Sequence, residues 1–162
     1  MLNLTSFIRF HARRTPDALA VICGPTRLSY AALRARIERT AGLLAARGIG
    51  AGDIVAVVMK NSAAFIELAF ATSHIGAVFL PVNFRLASDE VTYITGHAGA
   101  KLIFADEELS ALVAGLDNVV LVDAAAQSDS TQLAADAAPA PMHVTGPDDL
   151  FRLMYTSGTT DR

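Results

Sequence analysis

The chain has 162 residues, a length that one compact domain accommodates, and 52% of them are hydrophobic against 18% charged. Its 16 acidic and 13 basic side chains leave a net charge of −3, which excludes nucleic acid as the main partner, because a phosphate backbone demands a basic face. So apolar a chain either holds a large core or presents a surface that another part must cover, and both readings stand at this point.

The single cysteine, Cys23, rules out an internal disulfide and a CxxC metal site, and its apolar surroundings predict burial. The opening MLNLTSFIRFHARR has no apolar run ahead of its arginines, so it is not a secretory signal. The most apolar stretch, 63–82, contains Glu67, His74 and Pro81 and is no membrane span. A soluble, cytoplasmic protein is the expectation.

Residues 4–14 predict a short helix, with Asn3 or Thr5 as cap and Pro16 just beyond its end. ALAVIC (18–23) reads as a strand and Gly24-Pro25-Thr26 as a turn. Ser29 suits the N-cap of the next helix, in which Leu33, Ile37, Ala41 and Leu44 recur at three- and four-residue steps on one face. The arginines at 9, 13 and 14 and at 34, 36 and 39 fall at helical spacing and read as solvated helix faces. Gly48 suits the left-handed position that ends a helix.

IVAVVM (54–59) is a continuous apolar run, the pattern of a strand buried on both faces of a parallel sheet. Asn61 or Ser62 starts a helix that is apolar almost all round, Gly76 closes it, and AVFLPV follows as a strand. Ser88, Asp89 and Glu90 open a further helix with acids in its first turn. KLIFA (101–105) reads as a strand, 107–114 as a helix and VVLV (119–122) as a short strand. Strand and helix alternate throughout, so the expected fold is α/β, a largely parallel sheet built from repeated βαβ units over residues 1–122.

From 123 to 149 no periodicity survives in a stretch rich in Ala, Ser, Asp and Pro, which reads as a flexible connector. Residues 150–162 are then a last strand, LFRLMYT (150–156), and a hydroxyl- and glycine-rich end, SGTTDR. A strand running into Thr156-Ser157-Gly158-Thr159-Thr160 presents hydroxyls and backbone N–H groups in one tight loop. Glycine permits positive φ, so consecutive amides can face one concavity and bind an anion. The carboxyl edge of a parallel sheet is also where α/β folds bind ligands. From these residues alone, an ordinary polar turn and an anion-binding loop both stay open. The loop is not a Walker A motif, because GxxxxGK[ST] is absent.

LMYTSGTTDR resembles the start of the phosphate-loop signature of the adenylate-forming superfamily, YTSGTTG followed by Arg or Lys and then Pro-Lys-Gly. That superfamily joins acyl-CoA synthetases, peptide-synthetase adenylation domains and luciferases. LSYAALRARIERTAGLLAARGIGAGDIVAVVMKNS, GAVFLPVN and DEVTYITGHAGAKLIFAD resemble its N-terminal blocks in order and spacing, so the resemblance covers about residues 7–162. The Thr159-Thr160 pair leans toward the acyl- and aryl-CoA ligases.

The resemblance implies the N-terminal subdomain of an AMP-forming carboxylate–CoA ligase that uses ATP, Mg2+ and coenzyme A on a small carboxylic acid. It assigns the β- and γ-phosphates of ATP to Thr156, Ser157, Gly158, Thr159, Thr160 and Arg162. Asp161 departs from the pattern, since the family has glycine there and a carboxylate beside a triphosphate is repulsive unless it faces away or meets Mg2+. Pro-Lys-Gly, the adenine, ribose and acyl-pocket motifs and the catalytic lysine have no counterpart among these residues, so no catalytic residue is assigned. The competing reading is a truncated, non-catalytic fragment that serves as an interaction or nucleotide-binding module. An isolated segment of this composition is expected to form homo-oligomers through exposed apolar surface.

Several residues are set aside. His74 ends an apolar helix and reads as a packed histidine, and His11, His97 and His143 share no metal spacing with it. Asp53 reads as a turn acceptor, Asp106, Glu107 and Glu108 as the acidic first turn of a helix, and the phenylalanines at 65, 70, 79 and 84 as core.

Overall fold

In the computed structural model, which describes residues 3–123, 134 and 136–156, the chain opens with helix α1 (Thr5–Arg14). The buried Asn3 side chain fixes its start, accepting from the Thr5 N–H (2.9 Å) and donating to the Ser73 carbonyl (2.5 Å).

The run at 18–23 does not join the parallel sheet. Strand β1 (Leu19–Cys23) pairs antiparallel with β2 (Thr26–Ser29), a separate two-stranded hairpin. A Gly24-Pro25 turn is far too short for the crossover that parallel pairing requires. β2 escapes a reading from pattern because Leu28 is its only buried residue. Cys23 is half-buried at the margin of the main core rather than within it.

Helix α2 (Tyr30–Ala46) starts where expected, with the Ser29 hydroxyl accepting from the Ala32 N–H at 3.2 Å. Leu33, Ile37, Ala41 and Leu44 form its buried face. Arg36 departs from the solvated face expected for it. It is 6% exposed, and its Nε donates to Glu67 Oε2 at 2.7 Å.

Strand β3 (Ile54–Val58) leads into α3 (Ala63–His74), which Ser62 caps by accepting from the Phe65 N–H at 3.0 Å. Such a cap stabilises a helix by about 1 kcal/mol. Strand β4 (Val78–Pro81), helix α4 (Ser88–Ala98) and strand β5 (Leu102–Asp106) follow. A 3-10 helix (Glu107–Val113) stands where an ordinary helix was expected, and β6 (Val119–Val122) ends the regular structure.

The sheet is parallel throughout, in the order β4-β3-β5-β6. Alternate residues of its strands enter two separate cores. Val55, Val57, Phe79, Leu102 and Phe104 pack with α2, α3 and the hairpin, while Ala56, Val58, Leu80, Ile103 and Ala105 pack with Val91 of α4. The continuous apolar runs are therefore what a sheet covered on both faces needs.

Between α2 and α3 lies one buried polar knot. Glu67, 1% exposed, receives the Arg36 guanidinium on one oxygen and the Thr40 hydroxyl on the other.

The described part of the stretch expected as a flexible connector, 136–149, has no helix or strand, yet its middle is strapped down. The Ala140 N–H donates to the Glu38 carbonyl (3.0 Å) and the His143 N–H to the His74 carbonyl (2.7 Å). His74 Nε2 donates to the Ala140 carbonyl at 3.0 Å. Burial pushes the His74 pKa down, so the ring stays neutral and keeps this donor tautomer. Two glycines let the strap lie close. A Cβ on Gly42 would fall 1.8 Å from the Ala138 carbonyl oxygen, and one on Gly76 2.5 Å from the His143 ring.

Candidate functional site

The order of the strands decides where a ligand belongs. The chain goes from β3 outward to β4, then crosses back to β5 on the other side of β3. In such sheets ligands bind outside the carboxyl ends of the strands, around the point where the order reverses.

Two features occupy that edge. Between the ends of β3 and β5, the Lys60 N–H donates to Asp106 Oδ2 at 2.7 Å and the Lys60 ammonium pairs with Glu108 at 2.8 Å. Asp106 is both the last residue of β5 and the N-cap of the 3-10 helix, whose first turn carries Glu107 and Glu108 as expected, and its carboxylate ties the loop after β3 to the end of β5. It is 3% exposed, and burial raises its pKa. Its Oδ1 has no hydrogen-bond partner among the described residues. At the opposite, amino edge, a groove of about 750 Å³ is lined by Arg47, Lys101 and Asn118, away from both features.

The second feature is the segment 150–156. It was expected as a strand, and it does run parallel to β4 on that strand's outer edge. The Phe79 N–H donates to the Phe151 carbonyl (2.9 Å) and the Leu153 N–H to the Phe79 carbonyl (3.0 Å), closing one parallel bridge between Phe79 and Arg152. The ladder goes no further because the next outward-facing residue of β4 is Pro81, which has no N–H to give. A full strand therefore does not form.

Parallel pairing fixes the direction. Residues 153–156 travel toward the carboxyl edge, and Thr156, exposed, lies at the end of that path. Ser157, Gly158, Thr159, Thr160 and Arg162 lie outside the described residues, as does Asp161. Thr156 is thus the one expected loop residue whose position is described. Among the described residues no cluster of three or more His, Cys, Asp or Glu could hold a metal ion.

Sequence reasoning missed what stands just before Thr156. Tyr155, half-buried against the α4-side core, places its hydroxyl 2.5 Å from His97 Nδ1. Burial pushes the Tyr155 phenol pKa up, so the hydroxyl stays protonated and able to donate to Nδ1. The His97 ring stacks on Tyr93 (5.5 Å between centroids, 23°) and meets Tyr155 edge-on (5.8 Å, 87°). The only available signal was the four-residue spacing of Tyr93 and His97, which places both on one helix face.

Asp53 accepts from the Gly50 N–H at 2.9 Å, as a turn residue would. Lys101, paired to it at 2.6 Å, and then the Gly50 amide hold its pKa below the ordinary value.

Three comparisons bear on this arrangement. The model of the AMP-binding enzyme family matches residues 8–162. Feruloyl-CoA synthase from Amycolatopsis sp is 40% identical over 151 residues, which cover 93% of this chain and 30% of that protein. The long-chain-fatty-acid–CoA ligase FadD13 of Mycobacterium tuberculosis is 35% identical over 168 residues, covering 99% of this chain and 33% of that one. Among solved structures, the N-terminal domain of FACL13 from Mycobacterium tuberculosis superposes with a TM-score of 0.84 at 30% identity, over 97% of this chain and 42% of that one. The chain spans about a third of the length of the first two relatives.

Proposed function

The chain belongs to the AMP-binding enzyme family, and from that premise we propose that it forms the N-terminal part of an ATP-dependent acyl-CoA synthetase. The whole enzyme activates a carboxylic acid as its acyl-adenylate and transfers the acyl group to coenzyme A. The observation that carries the proposal is the parallel pairing of 151–153 on β4, which aims Thr156 at the carboxyl edge of the sheet.

A carboxylate oxygen of the acid attacks the α-phosphorus of ATP, a mixed anhydride forms and the bond to pyrophosphate breaks. The thiol of coenzyme A then attacks the acyl carbon and AMP leaves. The task of this chain's own residues lies in the first step. The hydroxyls of Thr156, Ser157, Thr159 and Thr160 and the amides around Gly158 hold the β- and γ-phosphates, with Arg162 adding positive charge. Such fixed donors orient the triphosphate and stabilise charge on the leaving group without reorganising during the reaction. Mg2+ enters as the counter-ion that accompanies ATP.

The relatives' names suggest an aromatic or a long-chain acid as substrate. Leu150, Phe151 and Met154 are exposed along the segment that leads to Thr156, an apolar surface suited to cover by the rest of such an enzyme. The test uses the intact protein with ATP, Mg2+, coenzyme A and either ferulate or palmitate. AMP release that depends on the acid and matches thioester formation is the expected result. ADP as product, or nucleotide turnover indifferent to every acid tried, would overturn the proposal.

A further inference from the structure

We propose that His97 is a positioning residue that fixes the root of the phosphate loop through the Tyr155 hydroxyl. The inference rests on the reading of Thr156–Thr160 as that loop and adds what holds it in place.

The backbone ladder that guides the segment toward the carboxyl edge ends at Leu153, because Pro81 has no N–H for a further bond. A second hold is needed between that point and Thr156. Tyr155 supplies it, two residues beyond the last ladder bond and one before Thr156. Its hydroxyl meets His97 Nδ1 at 2.5 Å, and its ring meets the His97 ring edge-on. His97 is itself held flat against Tyr93, one helical turn earlier on α4. α4 is anchored in turn by the fully buried Val91, which packs in the core on that face of the sheet.

A purely packing role fits poorly. Tyr93 and His97 are exposed, so their rings add little to the core, whereas a hydrogen bond with two ring contacts sets both the distance and the rotation of Tyr155. Ring pairs in this geometry prefer offset or edge-to-face arrangements, and both occur here. The clamp therefore works on the one residue whose backbone decides the direction in which Thr156 leaves.

The experiment compares the binding of Mg-ATP and of AMP to the intact protein by calorimetry, since AMP lacks the phosphates that the loop holds. Tyr155→Phe removes only the hydroxyl, while His97→Ala removes its acceptor together with the two ring contacts. Each is expected to weaken Mg-ATP by about three- to ten-fold, the size of one hydrogen bond, and to leave AMP unchanged. His97→Asn, whose side-chain oxygen can stand near the Nδ1 position, is expected to recover most of the loss. Equal weakening of ATP and AMP would overturn the clamp, as would no change in either. Ser157→Ala serves as the separate control. If it leaves Mg-ATP affinity at the wild-type value, the loop reading fails; if it weakens binding while the Tyr155 and His97 variants do not, only the clamp fails.

Discussion

Replacing Glu67 by alanine is expected to destabilise the protein by about 3–5 kcal/mol, the usual cost of breaking a buried ion pair by removing one partner. Glu67 and Arg36 are almost fully shielded from water, and the two helices that carry them form the main layer over the sheet. Without the carboxylate, the Arg36 guanidinium loses the oxygen that its Nε donates to, and the Thr40 hydroxyl loses its acceptor. The substitution also leaves a cavity. A second variant separates these causes. Arg36→Met with Glu67→Leu removes both charges and keeps the volume, and such exchanges are often neutral or stabilising. Urea unfolding of the intact protein should show a large loss in the single variant and recovery in the double one. A single variant within about 1 kcal/mol of wild type, the range of an exposed pair, would mean that the pair is solvated.

Gly42→Ala carries the second large effect, and its sign is the informative part. In the middle of an exposed helix, alanine stabilises relative to glycine by about 1 kcal/mol. At Gly42 the added methyl would collide with the backbone carbonyl of Ala138, 1.8 Å away, and no side-chain rotation relieves a clash with backbone. The strap must lift, which breaks the bonds of Ala140 to Glu38 and to His74 and that of His143 to His74. At about 0.5–1.5 kcal/mol each, these three offset the helix gain of about 1 kcal/mol and leave a net loss of about 0.5–3.5 kcal/mol. Hydrogen exchange at the Ala140 and His143 amides should speed up markedly. A stabilised variant with unchanged exchange would show that the strap does not rest on Gly42.

Much of the architecture was legible because the sheet is buried on both faces. The apolar run 54–59 had no other reading, and Ser29 and Ser62 marked their helix starts by the chemistry of capping. What stayed hidden depended on partners distant in sequence. Arg36 at helical spacing reads as surface until Glu67, 31 residues later, is brought opposite it. Gly42 reads as a weak point in a helix until Ala138 arrives above it. The hairpin was missed because β2 is four residues long with one buried side chain. At the site, the strand leading into the loop was expected whole. Pro81 on the neighbouring strand, which shortens it to a single bridge, leaves no mark in LFRLMYT itself. The loop residues are expected from resemblance to a family signature rather than from physics, since Ser-Gly-Thr-Thr alone is equally a polar turn. Tyr155 and His97 could not be paired at all from the sequence, standing 58 residues apart.

The most direct measurement is the exchange of labelled pyrophosphate into ATP by the intact protein, with a carboxylic acid present and coenzyme A absent. Adenylate formation at a loop that includes Thr160 predicts acid-dependent exchange, and a fall of about 100- to 1000-fold in Thr160→Ala, the scale of losing one fixed donor to developing charge. No exchange with aromatic or long-chain acids, or exchange that Thr160→Ala leaves untouched, would contradict it.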